Sequence, residues 1–124
     1  MDVINNADSI NRKIFEIDDY IEQLEGAATD KAQAISTLKR RIAITILKIK
    51  NGLITDFVDT ETGETVKIPS NLAQNLIPKI AEGLCWEEEL NNVKAEAEYK
   101  SLVVKIEATR AQLNGYQSIF KVIQ

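Results

Sequence analysis

The densest groupings of chemically active side chains are two acidic runs, Asp18-Asp19 and Glu87-Glu88-Glu89, and one basic run, Lys39-Arg40-Arg41. Neighbouring carboxylates can hold a hard cation through oxygen ligands. The three glutamates, however, directly follow Trp86 at the expected start of a helix, where carboxylates stabilise the positive end of the helix dipole. The basic run could grip phosphates. Residues 31–52 around it hold six lysines and arginines and no acid, but also no aromatic ring on which a nucleic-acid base could stack. The chain has no histidine, so the usual general base and the commonest imidazole ligand are missing. It also lacks a phosphate-cradling glycine loop, a zinc-ligand cluster and a Ser/His/Asp set. Cys85, beside Trp86, reads as part of a hydrophobic hinge between helices rather than as a reactive thiol. No catalytic residue, metal ligand or cofactor is assigned, and an enzyme is not expected.

A length of 124 residues suits one domain. Charged residues make up 27% of the chain and hydrophobic ones 44%, which argues against wholesale disorder. The formal charge of -4 supplies no global attraction to DNA or to an anionic membrane. A single cysteine precludes an internal disulfide and suits a reducing compartment. No run of 18 apolar residues occurs, and Met1-Asp2-Val3 opens a polar stretch unlike a signal peptide. The expected location is the cytoplasm, with no membrane partner.

These groups must be positioned by helices. Two seven-residue series run through residues 3–49: Val3, Ile10, Ile17, Leu24, Lys31, Leu38, Thr45 and Ala7, Ile14, Ile21, Ala28, Ile35, Ile42, Ile49. Only Lys31 and Thr45 are polar, and the period of 3.5 is that of a helix lying along another helix. The spacing predicts one helix over about 3–50, roughly 70 Å long at 1.5 Å per residue, with a soft point at Gly26. Asn51-Gly52 ends it, although "IAITILKIKNG" also carries the marks of a strand and hairpin turn. Residues 53–68 predict a β-like tip around Asp59–Gly63, or failing that an irregular acidic loop. A helix over 70–84, bent by Pro78 and Gly83, and a long helix over 86–123 follow.

The last helix carries apolar residues on two sides. One stripe is Ala95, Tyr99, Leu102, Ile106, Thr109, Leu113, Tyr116, Phe120 and Ile123. The other, nearly opposite, is Val93, Ala97, Val104, Ala108, Ala111, Gly115 and Val122. A helix apolar on two sides needs neighbours on two sides, so Val93, Ala97, Val104, Ala108, Ala111 and Val122 are the expected oligomer interface. The charge alternates by segment. It is -6 over residues 1–30, +6 over 31–52, -3 over 53–69, -4 over 70–98 and +3 over 99–124. Folding back at the tip sets opposite signs side by side, which favours an antiparallel register. The basic run is therefore expected to serve an internal match first and nucleic acid second.

At "TILKIKNG", "KIAEGLCWEEEL", "AEAEYKSL" and "RAQLNGYQSI" the chain resembles small helical proteins encoded by tailed bacteriophages, over roughly residues 40–124. The resemblance implies a bacterial cytoplasm during infection and a role in DNA metabolism or host takeover, and it supplies no functional residues.

The expectation is a mainly α fold, a single domain built as an elongated, coiled-coil-like antiparallel helical hairpin with a small β-hairpin or loop at the turn-around. It should associate with itself, a dimer being the default. The expected role is a non-enzymatic interaction module, a phage-encoded inhibitor or adaptor of a host or defence protein. It would present its acidic tip, Asp56, Asp59, Glu61 and Glu64, or its outer helix faces. The alternative is an accessory protein of phage DNA recombination that binds single-stranded DNA or its binding proteins, using Lys39, Arg40, Arg41, Lys48 and Lys50. A virion-assembly component is a third class.

Overall fold

The computed structural model describes residues 3–123, and side chains over residues 7–122. The stripe positions Val3 and Ile123 thus lie outside the described side chains. The fold is mainly helical: α1 (Val3–Lys50), α2 (Ile77–Leu84) and α3 (Trp86–Ile123), with strands β1 (Asp56–Val58) and β2 (Thr65–Lys67). Two compact units are distinguished. One comprises Met1–Lys31 and Ala95–Gln124, the other Ala32–Lys94. The first is the split unit and the second the central unit.

Helix α1 is continuous through Gly26, and residues 42–50 belong to it rather than to a strand. Its end follows from Gly52, whose φ of 71° a side chain would strain. The Gly52 N–H donates to the Ile49 carbonyl at 3.2 Å and the Leu53 N–H to the Lys48 carbonyl at 2.8 Å. These two bonds satisfy carbonyls that the last turn would otherwise leave open. Lys48 and Lys50 lie in that turn, at the negative end of the dipole.

The strands pair antiparallel, with Phe57 opposite Val66. Their turn is held by Asp59, whose N–H donates to the Glu64 carbonyl and whose carboxylate accepts the Glu61 N–H. Gly63 closes it at a φ of 74°. A short 3-10 turn, Gln74–Leu76, then leads into α2. Pro78 sits in the first turn of α2, where its missing N–H has no intrahelical acceptor to lose. The break falls at Cys85 rather than at Pro78 or Gly83. The Cys85 N–H is shared between the Ala81 and Glu82 carbonyls, and its own carbonyl starts α3 by accepting the Glu89 N–H.

The core of the central unit gathers on Ile49, Ile77 and Ala81, against which Ile42, Ile46, Ile54, Ile68, Leu72, Ile80 and Leu84 pack. In the split unit the buried apolar residues among those described are Ile17, Ala27, Leu102 and Ile106. The buried alanine is Ala27, while Ala28, the one in the seven-residue series, is exposed. Adjacent alanines have equal hydropathy, so the pattern alone cannot choose between them.

Candidate functional site

Helix α3 separates its two apolar rows sharply. Leu102, Ile106 and Thr109 are buried, and Ala95, Tyr99, Leu113, Tyr116 and Phe120 are half-buried. On the other side Ala97, Val104, Ala108, Ala111 and Val122 of the split unit are exposed, Val104 at 62% and Val122 at 85%. Val93, on the part of α3 within the central unit, is exposed as well. The residues named for an oligomer interface are thus all exposed apolar surface.

In the central unit, burial at Leu38, Thr45 and Ile49 fixes the inward side of α1. At 100° per residue, Arg40, Ile44 and Leu47 fall on the opposite side, flanked by Lys48. All four are exposed. One ion pair joins the basic run to α3, Arg41 Nε to Glu88 Oε1 at 3.4 Å. Lys39, Arg40, Lys48 and Lys50 make no ion pair among the described residues. Of the basic run, Arg41 alone is paired with an acid among the described residues. Segment charge says nothing about azimuth around a helix, and only a residue at the edge of the seam reaches across it. Lys31, in the split unit, lies 4.7 Å from the centre of the Tyr99 ring and makes no ion pair among the described residues. A cation over a ring face is held by the ring quadrupole.

The acidic tip residues Asp56, Glu61 and Glu64 are exposed and Asp59 is half-buried. Asp59 also borders an open groove of about 400 Å³ that no local sequence pattern marks, lined by Phe57, Val58, Thr60, Val66, Ile80, Gly83, Leu84 and Trp86. Strand pairing sets Phe57 and Val66 on one face of the hairpin, and the α2–α3 break sets Trp86 against the groove, 47% exposed. A tryptophan beside the break between α2 and α3 is the nearest thing to a sequence signal of it.

Among the described residues no cluster of three or more potential metal ligands occurs, and no helix is long and apolar enough to cross a membrane. No protein family, curated protein or solved structure matches the chain.

Proposed function

We propose that this chain is a non-enzymatic interaction module that associates with itself and offers its remaining surfaces to another protein. The observation that carries the reading is the exposed apolar row of α3, opposite a row that is buried or half-buried. Helices with two apolar sides are stable in water when both are covered. An antiparallel helical hairpin with the β-hairpin at its turn-around is the architecture proposed. It is supported in the central unit by the order of contacts. Arg41 meets Glu88 and, further along α1, Thr45 meets Cys85, earlier in the chain. The acidic tip Asp56, Asp59, Glu61 and Glu64 is the proposed contact for the second protein. The resemblance to phage-encoded helical proteins narrows this to an inhibitor or adaptor acting on a host or defence protein in the bacterial cytoplasm.

Light scattering coupled to size exclusion tests the self-association: a dimer at micromolar concentration is expected, and a monomer would sink the reading. Val104→Glu should weaken assembly by desolvating a charge at the interface, whereas Glu107→Gln should leave it intact.

The second reading, single-stranded DNA binding through Lys39, Arg40, Arg41, Lys48 and Lys50, is favoured by one observation. Four of these five cations have no anionic partner among the described residues. Binding of a labelled oligonucleotide that weakens steeply as salt rises would support it.

A further inference from the structure

The central unit is electrically neutral yet divided. Residues 32–52 hold five bases and no acid, whereas residues 53–94 hold eight acids and three bases. Among the described residues this division is joined by a single ion pair. Both halves also expose apolar surface. On α1, Ile44 and Leu47 stand between Arg40 and Lys48, on the side turned away from the core. Elsewhere Val58, Val66 and Trp86 line the open groove. From Asp56 to Glu87, the stretch supplying every lining residue, there are six acids and two bases. One surface is therefore a basic-rimmed apolar ridge, and the other an acidic-rimmed apolar groove.

We infer that the groove receives the Arg40–Ile44–Leu47–Lys48 face of α1 from a second copy of this chain. The inference rests on the self-association reading and names a contact other than the α3 row. Leu47 and Ile44 supply branched side chains suited to a groove of about 400 Å³ floored by aliphatic and aromatic carbon. Arg40 and Lys48 then meet the acidic side, where Asp59 borders the groove and Glu82 and Glu87 adjoin the lining residues Gly83 and Trp86. Each copy carries both surfaces, so a two-fold arrangement makes the contact twice and closes on itself. Charge of opposite sign across such a contact fixes the partner and its register. A nucleic-acid strand would use the bases equally well. It would leave Ile44 and Leu47 against a charged backbone, and residues 31–52 offer it no stacking ring.

The test is a charge swap followed by analytical ultracentrifugation. Arg40→Glu with Lys48→Glu should weaken self-association by roughly tenfold or more, as should Glu82→Lys with Glu87→Lys. An equimolar mixture of the two double variants should restore a dimer. Leu47→Ser should weaken association while leaving the thermal melt of the isolated chain unchanged, since Leu47 is 60% exposed there. Circular dichroism on each variant confirms that helicity is retained. A wild-type monomer at all accessible concentrations would overturn this inference and the self-association reading together. A dimer lost on Val104→Glu but untouched by the charge swaps would overturn this inference alone. Tight binding of a labelled oligo-dT, abolished by Arg40→Glu with Lys48→Glu while the dimer persists, would also overturn it and assign the face to nucleic acid.

Discussion

The hydroxyl oxygen of Thr45 lies 3.6 Å from the sulfur of Cys85, both buried, joining α1 to the break between α2 and α3. Thr45 spends its one hydroxyl proton on the Arg41 carbonyl at 2.7 Å, so the thiol is the donor in this pair. An S–H is a weak donor, and a threonine bonded back to its own helix slightly disfavours that helix. Thr45→Val should therefore change unfolding free energy by no more than about 1 kcal/mol in chemical denaturation. Cys85→Ala should cost more, about 1–2 kcal/mol, because it opens space one turn from Ala81, which is fully enclosed.

Lys31 interrupts the apolar seam and is held by the Tyr99 ring. A cation–π contact at a part-exposed site contributes about 0.5–1 kcal/mol, less than burying a leucine side chain, about 1.5–3 kcal/mol. Lys31→Leu should raise the melting temperature and, because a lone polar seam residue restrains oligomer choice, broaden the oligomer distribution. A double-mutant cycle pairing Lys31→Met with Tyr99→Leu should return a coupling of about 0.5–1 kcal/mol. Zero coupling would show that the ring contributes nothing.

Asn92 is buried on α3, and its side-chain oxygen has no hydrogen-bond partner among the described residues. Enclosing a polar atom without a partner costs about 1–3 kcal/mol. Asn92→Leu, with the same branching and number of side-chain heavy atoms, should stabilise the chain by about 1 kcal/mol, read from the urea midpoint at constant m-value. A loss of stability would show that the amide is satisfied in the assembled protein.

Reversing Lys39, Arg40 and Arg41 together to glutamate should leave helicity intact and cost the isolated chain only about 1 kcal/mol or less, since exposed ion pairs contribute little. Most of that cost should reappear in Arg41→Gln alone, because only Arg41 has an acidic partner, Glu88. Thermal melts at low protein concentration separate this effect from assembly.

The helices were legible because they are long and strictly periodic. Burial at Leu38, Thr45 and Ile49 on α1 and at Leu102, Ile106 and Thr109 on α3 falls on the stripes that spacing alone identifies. The same periodicity decided "IAITILKIK" against its isoleucine content, which favours a strand. The charge pattern was misleading in detail. Arg40 and Arg41 are neighbours in sequence, but 100° of rotation sends one to solvent and the other to Glu88. The groove was not legible, because it joins a short hairpin to a helix break through Phe57, Val66 and Trp86, and no local pattern encodes such a meeting.

The two compact units differ in how the chain is threaded through them. The central unit is one uninterrupted segment, Ala32–Lys94, whereas the split unit combines Met1–Lys31 with Ala95–Gln124. During synthesis the central unit has all its residues available once Lys94 has left the ribosome, and its helices are joined by the β-hairpin segment, residues 51–76. The first thirty residues must wait for a partner more than sixty positions further on, with Ile10, Ile17 and Leu24 facing water meanwhile. Contacts that close long loops are slow to form, and apolar helix left bare at that stage is a target for chaperones or for a neighbouring nascent chain. Folding should therefore spread outward from the middle of the sequence, its two ends joining last.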